Sequence, residues 1–202
     1  LLPGLKGETW HTILETAIAV VKLKPDFVRI YPVLVIENTE LADQYRAGEY
    51  EPLSTEQAIT YCAFLKAWFE ENNIEVIRTG LQSTEELDSG NSLVAGPYEP
   101  AMGELVVNEQ YKQCIERCIN EHIEYFIDNE PSQWNVWGRL NTFIALNISI
   151  FYPRSLTSKV RGLKNRNIVY FQEKYPHLKI NWYEDSTRNT VRCCIDGLQY
   201  VL

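Results

Sequence analysis

Apolar residues in the first hundred positions fall either at helical spacing or in unbroken runs, and the two kinds of stretch take turns in an α-β-α-β order. Ile13, Ala17, Val20 and Val21 share one face of a helix expected from about Thr9 to Leu23. Lys22 and Lys24 suit the negative end of that helix, and Pro25 stops it. Phe27 to Ile36 is almost wholly apolar or aromatic, which predicts a single strand covered on both faces, as in a parallel sheet. It empties into a polar loop carrying Asn38, Thr39 and Glu40. Ser54-Thr55-Glu56-Gln57 has capping-box spacing and opens a second helix, along which Ile59, Cys62, Leu65 and Phe69 recur. Asn72-Asn73 ends that helix, and Ile74 to Leu81 reads as a second strand. In sheets of this kind ligands sit beyond the carboxyl ends of the strands, where the loop after Ile36 lies.

The pattern then loosens. Thr84 to Gly103 is rich in Gly, Ser, Asn and Pro and predicts a long loop. An acidic helix follows from about Asn108 to Asp128, its charged face read as solvated, and Pro131 to Gly138 reads as a linker with two tryptophans. Leu146, Ile148 and Ile150 alternate as a strand. After them YPRSLTSKVRGLKNRNIVYF and LKINWYE give β-α-turn-α-β, with Gly162-Leu163-Lys164-Asn165 at the turn and Ile168, Phe171 and Tyr175 on the second helix.

Composition narrows the class. A length of 202 residues and 45% hydrophobic content suit one large domain or two small ones with real cores. The chain has no run of 18 apolar residues, so no membrane partner is expected, and no charged-apolar-small signal segment opens it. Five cysteines, an odd number without framework spacing, predict reduced thiols in a cytoplasmic protein. The net charge of −8 disfavours general nucleic-acid affinity, but it is unevenly spread. From Arg154 to Lys179 seven Lys and Arg face one acid, Glu173, a local balance of +6.

LPGLKGET, RIYPVLVIENTEL, YRAGEYEPLS and VIRTGLQ, in that order, resemble one branch of the radical S-adenosylmethionine superfamily. That branch contains the Elongator catalytic subunit and proteins labelled oxygen-independent coproporphyrinogen III oxidase-like. The resemblance covers residues 1–106 strongly and the rest more loosely. Two departures stand out: Asn38-Thr39-Glu40-Leu41 replaces the family's Gly-Thr-x-Leu, and Glu99 replaces a His. Asn tolerates a left-handed backbone, so the first turn is expected to survive.

The resemblance implies an α/β fold: the last strands and helices of a partial (βα) barrel over 1–106, an acidic helix and linker over 107–140, and a small α+β extension over 141–202. That extension resembles the KH RNA-binding core, with Asn165 in place of the last Gly of its GxxG turn. The resemblance also implies S-adenosylmethionine and a 4Fe-4S cluster in the parent protein, with backbone around Tyr31 and Pro32 lining the adenine, the Pro3-Gly4 turn nearby, and Val33 and Leu34 equally good candidates. The cluster needs C-x-x-x-C-x-x-C, whereas Cys114 and Cys118 are followed by Glu at 121 within a helical pattern, and Cys193-Cys194 are too cramped for joint ligation. These cysteines, with His122, read as packing residues. No catalytic residue, metal ligand or bound cofactor is therefore expected in this chain alone.

Three functions stay open. The first is the C-terminal portion of a radical S-adenosylmethionine enzyme acting on RNA, with a tRNA-like substrate. The second is a non-catalytic RNA-binding module. The third is a radical S-adenosylmethionine enzyme acting on a small molecule such as a tetrapyrrole. An RNA partner is expected at Lys159, Arg161, Gly162, Lys164, Asn165 and Arg166. Self-association is expected through the strands at Phe27 and Ile74, if these are left at an open sheet edge.

Overall fold

A computed structural model describes residues 1–90, 92–129 and 146–202 of a mixed α/β protein. The expected linker from Pro131 to Gly138 lies outside the described residues. Two compact units divide the chain, Leu1–Val107 and Asn108–Leu202.

In the first unit α1 (Trp10–Leu23) starts where Thr9 caps it and ends where Lys24 turns left-handed before Pro25. β1 (Phe27–Ile30) follows, then β2 (Val35–Ile36), α2 (Glu40–Arg46), α3 (Thr55–Glu71) and β3 (Glu75–Thr79). The capping box expected at Ser54 and Gln57 is present at the start of α3. β1 and β3 pair in parallel. On the other side of β1, Leu1 to Pro3 runs beside the chain: the Leu1 amine donates to Arg29 O (2.7 Å), and the Tyr31 and Val33 amides donate to Leu1 O and Pro3 O (both 2.9 Å). The core gathers Ile13 and Ala17 from α1, Val28 and Ile30 from β1, and Ile59, Leu65 and Phe69 from α3.

The single strand expected from Phe27 to Ile36 is in fact two. β1 stops at Ile30, and β2 pairs antiparallel with β4 (Leu93–Ala95) in a separate sheet. The break surrounds Pro32, which has no amide hydrogen to continue a ladder. β1 is also covered on one face only, since Val28 and Ile30 are buried while Phe27 is 53% exposed. A uniform apolar run carries no period, so nothing in it marks a bend or an open face. Likewise the expected polar loop at Asn38 opens into α2, with Asn38 at φ 59 and the Thr39 hydroxyl accepting from the Ala42 amide. The stretch expected as a long loop holds α4 (Glu85–Asp88) and β4.

α5 (Met102–Asn129) starts ahead of the expected Asn108, and the boundary between the units falls within it. In the second unit come β5 (Asn147–Tyr152), α6 (Thr157–Arg161), α7 (Arg166–Lys174), β6 (Lys179–Glu184), β7 (Arg192–Ile195) and β8 (Leu198–Val201). The sheet order is β6-β5-β7-β8, with β5 and β6 parallel and the others antiparallel. Ile148, Ile150 and Tyr152 from β5 pack with Ile115 and Ile119 of α5 and Phe171 of α7. α5 is less solvated than its charge pattern implies, since Asn108 and Glu109 are buried, and His122 is buried as a packing residue should be. No described helix is long and apolar enough to cross a membrane.

Candidate functional site

Two groups of residues were singled out, and each lies within one unit. The first is the turn at Pro3-Gly4 beside Tyr31-Pro32. The bond from Val33 N to Pro3 O lays the turn against the chain just past β1. Gly4 takes φ 102, and a Cβ there would stand 3.1 Å from the Leu53 side chain, so the position favours glycine on both counts. Its carbonyl accepts from the buried Tyr50 hydroxyl (2.6 Å), and its amide donates to the Glu8 carboxylate (2.5 Å). Burial pushes the Glu8 carboxyl above its ordinary pKa, against the pull of that amide. Gly4 lines a cleft with Lys6, Glu8, Glu49 and Tyr50, whereas Pro32 lines a separate recess with Leu34, Gly80, Tyr98 and Met102.

The backbone donors at this point are spent. Tyr31 and Val33 donate to Leu1 and Pro3, Gly4 donates to Glu8, and Pro3 and Pro32 have no amide hydrogen. What remains is carbonyl acceptors, the Tyr31 hydroxyl and ring faces, a set that can meet an exocyclic amine such as that on adenine.

Burial pushes the Cys62 and Cys193 thiols up to about 12. Cys118 is raised as well, first by burial and then by neighbouring Glu121. Among the described residues no group of three or more His, Cys, Asp or Glu could hold a metal.

The second group surrounds the turn between α6 and α7. Lys159, Lys164 and Asn165 are exposed, Arg161 and Arg166 half-buried, and Gly162 buried. Lys164 and Asn165 are consecutive left-handed residues (φ 53 and 62). Gly162 has φ 78, and its absent Cβ would stand 3.1 Å from both the side chain and the backbone nitrogen of Asn167. The glycine therefore serves internal packing at the base of the turn. The Arg161 guanidinium lies beside the Tyr152 hydroxyl, and Lys159 and Lys164 are the exposed cations of this group.

Sequence reasoning missed the residues that hold this turn. Asn108 on α5 accepts from the Leu163 amide (3.0 Å) and donates to Ser158 O and Lys159 O (both 3.1 Å). Asn167 on α7 donates to Asn108 O (2.9 Å) and Val160 O (3.0 Å). Deeper along the same helices Glu116 pairs with Lys174 and accepts from Tyr170 (2.9 Å) and Tyr175 (3.0 Å). Burial raises the Glu116 carboxyl, but bonds from Lys174 and the two tyrosines outweigh it and hold it below its ordinary value. Periodicity cannot flag these groups, because a polar residue bonded to distant backbone looks like any solvated one.

Residues 25–113 match the family described as Radical_SAM C-terminal domain. A tRNA uridine(34) acetyltransferase of Methanocaldococcus jannaschii is 39% identical over 70 residues, which is 33% of this chain and 13% of that protein. The tRNA uridine(34) acetyltransferase of Methanocaldococcus infernus is 30% identical over 127 residues, 59% of this chain and 22% of that protein. The chain thus spans less than a quarter of the length of these relatives. A solved structure, the archaeal Methanocaldococcus infernus Elp3 with an N-terminal deletion (1-46), aligns at TM-score 0.45 and 27% identity over 56% of this chain and 26% of that one.

Proposed function

We propose that the chain, whose residues 25–113 match the Radical_SAM C-terminal domain, is the C-terminal portion of a radical S-adenosylmethionine enzyme of the Elongator-like kind acting on a tRNA-like RNA. In this proposal Leu1 to Pro3, β1 and β3 are parallel segments of a partial barrel, and the β5-α6-α7-β6 unit is a KH-like RNA-binding extension. S-adenosylmethionine and the four-iron cluster belong to the parent protein and would supply radical chemistry there. Backbone around Tyr31 and Pro32 would stand at the adenine edge and offer carbonyls to its amine, with the Pro3-Gly4 turn beside it. No reaction step falls to the cysteines of this chain.

The observation that carries the RNA half is the exposed Lys164-Asn165 turn within the basic stretch from Arg154 to Lys179. A phosphate backbone fits cations projected from an open turn. The names of the two relatives, both tRNA-modifying, point the same way. Exposed Phe27 and Ile77 on β1 and β3 mark where a further segment or a second copy would pack.

A paired binding experiment tests the substrate class: filter retention of a tRNA and an absorbance titration with coproporphyrin III, both on this chain. Retention of tRNA at low salt without a porphyrin spectral shift is expected. Porphyrin binding without tRNA retention would overturn the proposal in favour of a tetrapyrrole substrate.

A further inference from the structure

Asn108 and Asn167 are 1% and 2% exposed. A primary amide that far from water is unfavourable unless its donors and acceptor are paired. Here the side-chain pairing goes to the backbone around the turn. Asn108 grips Ser158 O, Lys159 O and Leu163 N, and Asn167 grips Val160 O together with the carbonyl of Asn108 itself. The grip falls on both sides of Gly162. Immediately beyond it, Lys164 and Asn165 adopt consecutive left-handed conformations while exposed to solvent. Asparagine tolerates that region, but a lysine there is strained and persists only where its surroundings impose the shape.

We propose that Asn108 and Asn167 are positioning residues for nucleic-acid binding, clamping the 158–163 backbone so that Lys164 and Asn165 meet a single-stranded sugar-phosphate chain already in their bound shape. This rests on the turn being the RNA contact. Preorganisation improves affinity by removing the ordering cost that a loose turn incurs on binding. Neither asparagine touches RNA. They carry no charge, so their removal leaves every phosphate-directed cation in place.

The test compares the parent with Asn108→Ala, Asn167→Ser and Lys164→Asp/Asn165→Asp, all in the full chain. RNA affinity is measured at several salt concentrations, and backbone amide exchange is followed by NMR. In the parent the Leu163 amide should be protected; exchange as fast as in an open loop would overturn the clamp even if no variant folds. Each asparagine variant should speed exchange at Leu163 and lower affinity about fivefold to tenfold. The slope of log affinity against log salt should hold, because the cations remain. The Lys164→Asp/Asn165→Asp variant should lower both affinity and slope. Faster exchange at Leu163 with parental affinity would make the clamp purely structural and overturn this inference alone. A parent that fails to bind RNA would overturn the RNA reading of the turn, and this inference with it.

Discussion

The hydroxyl of Tyr50 donates to the carbonyl of Gly4 across 2.6 Å, tying the loop before α1 to the segment just after α2. Tyr50 is 7% exposed, so this bond stands largely out of water. On the other side of Gly4, Leu53 fills the place a side chain would take, and Glu8 takes the amide. The Pro3-Gly4 turn is thus fixed from three directions by residues of the first unit.

Replacing Tyr50 by Phe should therefore destabilise the protein by about 1–3 kcal/mol, the usual range when a buried carbonyl loses its donor. Urea unfolding should show a lower midpoint at unchanged slope. A loss under about 0.3 kcal/mol would mean that water replaces the hydroxyl and that the turn does not depend on it.

Gly80 ends β3 at φ 82, and a Cβ there would stand 2.5 Å from the Met102 Cβ. Gly80→Ala combines left-handed strain of about 1–2 kcal/mol with overpacking of about 1–3 kcal/mol. A total of about 2–5 kcal/mol should appear as a large fall in melting temperature. A fall of only a degree or two would show that α5 shifts freely at its start.

Acid should act through Glu116. Its folded pKa is held below the ordinary 4.5, so its stabilising contribution is complete above that value and is lost as pH falls through the folded value. Glu116→Gln removes the charge paired with Lys174, costing up to about 1 kcal/mol at neutral pH. Thermal melts of both proteins from pH 7 to pH 3 should show a gap that closes only below about 4.5. A gap independent of pH would assign the difference to shape instead of charge.

Much of the fold was legible where a local signal names its own boundary. Ser54 with Gln57, Lys24 before Pro25, and the helical spacing of Ile59, Cys62, Leu65 and Phe69 all appear where expected. The β-α-turn-α-β order of the tail was legible for the same reason. Other signals were present and were passed over. Thr39 with Glu40 and Asp43 marks the start of α2, and Asp196-Gly197 between alternating residues marks the β7-β8 hairpin, where both turn residues have positive φ (47 and 87). The break at Pro32 was announced by the proline and hidden by the apolar run around it. The asparagine clamp left no signal: Asn108 and Leu163 are 55 positions apart, and only the folded chain brings them together.

The RNA role of the exposed turn is tested most directly by binding of a tRNA to the full chain over a salt series, for the parent and for Lys164→Asp/Asn165→Asp, with circular dichroism as the control for folding. The parent should bind at low salt and weaken steeply as salt rises. The double variant, which keeps the fold because both positions are exposed, should bind about tenfold more weakly or worse. Equal affinity in the two proteins, or no binding by the parent at low salt, would contradict an RNA role for this turn and leave the basic stretch as an ordinary solvated surface.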